Sequence, residues 1–171
     1  TIVEIGAGIQ LGPNVFHALE KLGLEDEISN IAVFVDRLLM MDSLNGETIN
    51  EVPAGNSIRK RFGKPYAVIH RADLLQALLQ ACRNSKLISI STAVSVESYK
   101  NVPNGVIIKT VSGDTLEGVA LIGADGLWST VRSQMIGDGA PRVSGHIAYR
   151  AVLPLTEVPE DLRWNAATIW A

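Results

Sequence analysis

Residues 121–132, with the sequence LIGADGLWSTVR, combine the residue types best suited to binding a nucleotide. An apolar segment predicted as a strand ends at Gly123, the carboxylate of Asp125 follows, and a helix is predicted to begin near Ser129. Glycines let a backbone approach a ligand closely, and a helix N-terminus attracts phosphate groups. The pattern is typical of a nucleotide-binding crevice. It is equally typical of a strand-to-helix turn in which Asp125 only caps the helix, and the residues alone leave both interpretations open.

A second glycine-rich segment lies close to Thr1. After Gly6 and Gly8, the dinucleotide fingerprint GxGxxG requires a third glycine at position 11, which is Leu11. Pro13 suits the first turn of a helix but lacks the N–H that a phosphate-binding turn would donate. The segment therefore predicts a helix over residues 13–22, not a phosphate turn.

Composition excludes several classes of partner. The chain has 171 residues, 15 basic and 18 acidic side chains and a net charge of −3, so it carries no general basic field for nucleic acid or an anionic membrane. No apolar run approaches the roughly 18 residues of a membrane span. Cys82 is the only cysteine, which excludes an internal disulfide and favours a cytoplasmic protein.

The remaining charged and metal-ligating residues give weaker signals. Arg59, Lys60 and Arg61 lie within residues 53–65, predicted as a solvated loop, although steering of an anionic substrate or cofactor is the alternative. The histidines have no acidic partners at metal-binding spacing, so no metal site is predicted.

The elements around these residues predict an α/β fold with an inserted antiparallel portion. Asn45-Gly46 predicts a hairpin between strands over residues 37–44 and 47–52. A helix with an apolar face is predicted to follow Arg71. Further strands are predicted over residues 66–70, 87–91, 94–99, 106–111, 119–122 and 146–153.

Three motifs occur in order along the chain: GAGIQLGPNVFHALEKLGL at residues 6–24, HRADLL at residues 70–75 and GADGLWSTVR at residues 123–132. Together they resemble the single-component FAD-dependent aromatic hydroxylases of the salicylate hydroxylase and 3-hydroxybenzoate 6-hydroxylase type. The resemblance covers essentially the whole chain. It implies a flavoprotein monooxygenase that hydroxylates a phenolic acid using FAD, NADH or NADPH, and O₂.

The resemblance also implies which residues meet the cofactor. Arg71 matches an arginine that contacts the flavin cofactor, and Ala93 a position whose backbone meets the adenine end. Asp125 and Gly126 match an Asp-Gly motif associated with the FAD pyrophosphate and the pyridine nucleotide. Since a carboxylate would repel a pyrophosphate, we expect Asp125 to orient backbone N–H groups or Arg132 toward it.

Gln10 lies where the chain of this family passes the flavin, and a loop hydrogen bond is the alternative role for it. No residue can be assigned as the catalytic base.

The implied architecture is an incomplete doubly wound FAD/NAD(P)-binding domain with inserted antiparallel strands over residues 1–142. The beginning of a β-rich substrate-binding domain follows over residues 143–171. The family's GxGxxG unit is expected before Thr1 and its GDAAH motif after Ala171, so the chain is expected to be a fragment that is inactive alone. Without the first, central strand, residues 119–122 are expected to lack a neighbouring strand and to expose apolar surface.

Two other interpretations stay open. The chain could be a non-catalytic nucleotide-binding or assembly module that retains the scaffold, or it could belong to a flavin reductase or epoxidase with the same motifs. A homo-oligomer is compatible with each of them.

Overall fold

The structure is a computed structural model that describes residues 7–147 and 152–171. The described residues divide into two compact units: residues 7–90 with residues 152–171, and residues 91–147. Both contain short helices and small sheets, which confirms the predicted mixed α/β class. In chain order the elements are β1 (Gly8–Leu11), α1 (Pro13–Leu22), α2 (Glu25–Ile31), β2 (Val33–Phe34), β3 (Arg37–Met41), β4 (Thr48–Pro53), α3 (Asn56–Phe62), β5 (Ala67–His70), α4 (Arg71–Asn84), β6 (Val96–Val102), β7 (Gly105–Thr110), β8 (Thr115–Gly118), α5 (Thr130–Ile136), two single 3₁₀ turns (Leu155–Glu157 and Glu160–Leu162) and β9 (Ala166–Trp170).

Helix α1 has the bounds that its sequence predicts. It begins at Pro13, whose missing N–H costs nothing in the first turn. Gly23 follows the helix in the left-handed conformation with φ 69°. The N–H groups of Gly23 and Leu24 donate to the carbonyls of Glu20 and Leu19 at 3.0 and 2.9 Å, closing a Schellman motif. This geometry confirms that the segment near Gly12 opens a helix.

The core of the first unit lies between its helices and an antiparallel sheet with strand order β1-β5-β2. Phe16 of α1 and Ile28 of α2 are completely buried in it. Leu11 of β1, Ile69 of β5 and Ala77 of α4 pack in the same cluster. Helix α4 thus follows β5 with its apolar face fixed against the sheet, which sets the position of Arg71 at its first turn.

A second sheet in this unit has the order β4-β3-β9, with β3 antiparallel to β4 and parallel to β9. The predicted hairpin is confirmed, but its loop is longer than the Asn45-Gly46 dipeptide. Asp42 closes the turn by accepting from the N–H of Leu44 at 2.7 Å, and Gly46 adopts φ 76°. Local side-chain bonding therefore widens the turn that the dipeptide predicts.

Residues 53–65 and residues 87–91 differ from the structure that the sequence predicts for them. Residues 53–65 are not simply a loop, because α3 forms within them and ends at Gly63 with φ 75°. Its basic residues occupy the last turn, where they stabilise the helix dipole. Residues 87–91 form no strand; they are exposed and have no ladder partner among the described residues.

The second unit is an antiparallel meander of β6, β7 and β8 with helix α5. The strands predicted over residues 94–99 and 106–111 correspond to β6 and β7, and the helix predicted near Ser129 is α5. Gly105 must remain small here, because a Cβ at this position would lie 2.2 Å from the Gly118 carbonyl oxygen.

Residues 119–122 do not form the predicted strand. Within the described residues they pair with no other segment, and a strand needs a hydrogen-bonding partner. Val119 is 91% exposed and Ile122 is 88% exposed, which confirms the expected apolar surface. The strand predicted over residues 146–153 includes residues 148–151, which lie outside the described residues.

Candidate functional site

The Asp125 carboxylate joins the loop after residue 122 to helix α5. Its Oδ1 accepts from the Ser129 hydroxyl at 2.5 Å, and its Oδ2 accepts from the Val131 N–H at 3.2 Å. Ser129 Oγ in turn accepts from the Arg132 N–H at 3.0 Å, which makes Ser129 the N-cap of α5. The N-cap is thus Ser129 and not Asp125, although Asp125 also accepts from an N–H of the first turn of α5.

The same hydrogen bonds set the charge of Asp125. Donation from the Ser129 hydroxyl, followed by donation from the Val131 N–H, lowers the pKa of the Asp125 carboxyl below its ordinary value. The group is therefore an anion at neutral pH, and both of its oxygens already accept hydrogen bonds from the loop and helix.

Two glycines shape this loop in different ways. A Cβ at Gly123 would lie 2.8 Å from Cγ1 and 2.9 Å from Cβ of Val131, so the loop packs directly on the helix. Gly126 has φ 75°, and a Cβ there would meet no atom within 4 Å. The backbone at Gly126 is thus open to approach by a ligand.

Arg132 holds the loop from the helix side. Its Nη1 donates to the Gly126 carbonyl at 3.0 Å and its Nη2 to the Leu127 carbonyl at 2.7 Å. Its Nε pairs with Asp138 at 2.6 Å. No ion pair joins Arg132 to Asp125 within the described residues. Asp125 was expected to orient either backbone N–H groups or Arg132. It accepts from the backbone N–H of Val131, whereas the Arg132 guanidinium donates to the carbonyls of the loop.

A pocket of about 350 Å³ opens beside this loop. Most of its lining is apolar, with Asp125 as the ionisable member; the lining residues are Val94, Ser95, Val96, Leu121, Ile122, Gly123, Ala124, Asp125, Trp128, Thr130 and Val131. Ala93 directly precedes the lining and adopts φ 59°, a left-handed conformation that alanine rarely takes. Such strain is concentrated at ligand-binding segments.

Arg71 and Gln10 belong to the first unit. Arg71 is half-buried at the first position of α4, and its N–H donates to the Ala7 carbonyl at 3.2 Å. Gln10 lies on β1, and its Oε1 accepts a short hydrogen bond from the Tyr66 hydroxyl. Burial raises the pKa of Tyr66, so the phenol remains protonated and continues to donate.

The structure brings Asp125, Gly126 and Arg132 together in the second unit, with Ala93 at the edge of the adjoining pocket. Sequence reasoning missed the contact between Tyr66 and Gln10, because the two residues lie 56 positions apart. The only available signal was the position of Tyr66 at the start of a predicted strand.

Residues 7–147 and 152–171 contain neither a metal-binding cluster nor a membrane-spanning helix. No group of three or more His, Cys, Asp or Glu residues in these ranges could hold a metal ion. No helix there has the length and apolar character that crossing a bilayer requires.

Comparison with curated proteins identifies relatives along nearly the whole chain, although no family model matches it. 3-Hydroxybenzoate 6-hydroxylase 1 of Aquipseudomonas alcaligenes is 49% identical over 168 residues, which cover 98% of this chain and 43% of that protein. The chain is homologous to one segment of the 3-hydroxybenzoate 6-hydroxylases. The enzyme of that name from Polaromonas naphthalenivorans is 44% identical over 99% of this chain. The chain spans less than half the length of these relatives.

Solved structures with a similar fold are longer as well, and this chain covers about a third of each. Klebsiella pneumoniae HpxO, complexed with FAD and uric acid, superposes with a TM-score of 0.65 at 25% identity over 77% of this chain and 33% of its own. The tetrameric form of 2-methyl-3-hydroxypyridine-5-carboxylic acid oxygenase gives the same TM-score at 24% identity, a likeness in fold alone.

Proposed function

We propose that this chain is part of an FAD-dependent monooxygenase that hydroxylates a phenolic acid such as 3-hydroxybenzoate or salicylate. The observation that carries the proposal is the 49% identity to 3-hydroxybenzoate 6-hydroxylase 1 over 98% of the chain. The HpxO complex with FAD supports the choice of cofactor. NADH or NADPH would be the reductant and O₂ the oxidant.

Three features of the described residues, taken separately, support the choice of a flavin dinucleotide. Arg71 provides a permanent positive charge suited to the pyrophosphate or flavin. The strained backbone at Ala93 would meet the adenine end, and the open backbone at Gly126 would allow close approach of the phosphates. Bound FAD would supply the redox chemistry that no side chain can perform.

The proposed role of Asp125 is to hold the loop in the shape that the cofactor requires. Its hydrogen bonds to Ser129 and Val131 support this role, since they fix the loop to α5. Arg132 would act on the same loop through the carbonyls of Gly126 and Leu127. Gln10 would approach the flavin from β1, with its amide oriented by Tyr66.

The domain assignment is part of the same proposal. Residues 1–142 would belong to an incomplete doubly wound FAD-binding domain, and residues 143–171 would begin the substrate-binding domain. A cytoplasmic location and a homo-oligomer are further elements of it. The exposed side chains of Val119 and Ile122 support contacts with additional polypeptide.

The test is product formation by the intact protein with FAD, NADH or NADPH, and ¹⁸O₂. With 3-hydroxybenzoate or salicylate we expect a dihydroxybenzoate that carries one ¹⁸O atom, formed in proportion to the pyridine nucleotide consumed. Consumption of nucleotide without labelled product would contradict the proposal and favour a flavin reductase. A colourless protein that binds no flavin would favour the non-catalytic module.

A further inference from the structure

A second pocket, of about 190 Å³, lies wholly within the first unit, and its lining residue Tyr66 contacts Gln10 of the first motif. Phe34, Asp36, Arg59 and Tyr66 contribute its side-chain functional groups, with Ala54, Gly55 and Asn56 on the adjoining backbone. Arg59 is the cation among these lining residues. The pocket therefore combines an aromatic wall with one positive and one negative side chain.

Two of the backbone donors on the pocket lining are already used. The N–H groups of Ala54 and Gly55 both donate to the Asp36 carbonyl, at 2.8 and 3.1 Å. These two groups are consequently unavailable to a ligand that enters the pocket.

Two of the polar side chains that line the pocket also make hydrogen bonds within the protein. The Tyr66 hydroxyl donates to Gln10, and the Asp36 carboxylate accepts from the Asn165 amide at 2.9 Å. The Arg59 guanidinium, in contrast, takes part in no hydrogen bond or ion pair among the described residues, although Asp36 lines the same pocket. Its guanidinium N–H groups are therefore the charged donors that the pocket lining still offers to a ligand.

Arg59 is nevertheless held in position. Its guanidinium carbon lies 5.8 Å from the centroid of the Phe34 ring. Stacking of this kind covers the face of the guanidinium and leaves its N–H groups at the edge, where they can donate two parallel bonds to a carboxylate. The arrangement limits the rotamer freedom that Arg59 would otherwise lose on binding.

We propose that Arg59 recognises the carboxylate of the substrate in this pocket and so restricts the enzyme to aromatic monocarboxylates. This inference rests on the proposed function. The volume is below the roughly 300 Å³ at which sites for drug-sized ligands begin, so it suits a single ring. The negative charge of Asp36 in the same pocket disfavours a dianion.

The test compares a carboxylate with its uncharged counterpart in the intact protein. Dissociation constants are measured by calorimetry for benzoate, benzyl alcohol and isophthalate. The variants are Arg59→Met, Arg59→Lys and the matched control Arg61→Met. Arg61 also lies in the last turn of α3 and stacks on an aromatic ring, Phe62 at 5.2 Å, but it does not line the pocket.

For the wild type we expect benzoate to bind more tightly than isophthalate. Arg59→Met should weaken benzoate binding about 10- to 100-fold, the effect of losing a charged hydrogen bond, and leave benzyl alcohol unaffected. Arg59→Lys should restore part of the loss, and Arg61→Met should change neither ligand. Equal losses for the two arginines, unchanged benzoate binding in Arg59→Met, or no benzoate binding by the wild type would overturn the assignment.

These outcomes are separate from the proposed function, because binding of benzoate requires no turnover. Charge-selective loss at Arg59 without any hydroxylated product would sustain the carboxylate site and refute the monooxygenase. Hydroxylation of phenolic acids with unchanged benzoate affinity in Arg59→Met would support the monooxygenase and refute the carboxylate site.

Discussion

Asp125 acts on its surroundings through two hydrogen bonds that point back into the protein. One oxygen accepts from Ser129 and the other from the Val131 N–H, so the carboxylate fixes the start of α5. A charged group used in this way serves a phosphate only indirectly, by holding backbone atoms in place. Removing its charge should therefore lower the stability of the loop directly and change the affinity for a ligand only indirectly.

Asp125→Asn should lower the melting temperature of the protein at pH 7. The folded-state pKa of Asp125 is depressed, so its contribution to stability is complete above the unfolded pKa of about 3.9 and is lost as the pH falls through the folded pKa. The difference between variant and wild type should consequently be greatest at neutral pH and shrink below about pH 4. Thermal unfolding followed by circular dichroism, at pH 7 and below about pH 4, measures this difference in melting temperature.

Glu117→Gln is the matched control, since Glu117 is an exposed carboxylate of β8 in the same unit. It should produce little change at either pH. If the difference in melting temperature between Asp125→Asn and wild type stays constant as the pH falls, the charge of the carboxylate does not contribute to stability.

At the scale of elements, the contact between Gly123 and Val131 fixes the distance of the loop from α5. Gly123→Ala would place a Cβ within 3 Å of a β-branched side chain that is itself buried. We expect a loss of about 1–3 kcal/mol in the free energy of unfolding, as for other overpacked sites. Denaturant titration measures this loss.

Gly118→Ala provides the control, because a Cβ there meets its nearest atom at 3.5 Å, an ordinary contact. In addition, Val131→Ala should relieve the part of the clash that the Val131 γ-methyl groups make, so the double variant should lose less than the sum of the single losses. Strict additivity would contradict direct packing of the loop on the helix.

The elements that sequence predicts well are those whose signals are local. The predicted bounds of α1 and the predicted start of α5 agree with the structure, because the caps at Gly23 and Ser129 depend on residues within one turn. Residues 119–122 fail as a predicted strand because strand formation requires a partner segment, which apolar character alone does not supply. Helix α3 was missed because its basic last turn and flanking glycines resemble a solvated loop.

At the scale of the whole molecule, the candidate sites depend on contacts that sequence patterns do not encode. Arg59, Phe34 and Tyr66 meet in one pocket only after the strands of the first unit assemble. Ala93 gives no indication of a left-handed conformation, since alanine does not favour it. Asp125 is indicated by its position between an apolar segment and a helix start, whereas Arg71 could be identified in advance only through its resemblance to a family.

The most direct test of the central claim is titration of FAD into the intact apoprotein, followed by flavin absorbance. We expect one FAD per chain, and an affinity that falls at least about tenfold in Arg71→Met because a charged hydrogen bond is lost. Arg71→Lys should retain part of the affinity, and Arg83→Met, a change in the last turn of the same helix, should retain all of it. Absence of FAD binding, or equal affinity in wild type and a correctly folded Arg71→Met variant, would contradict the account.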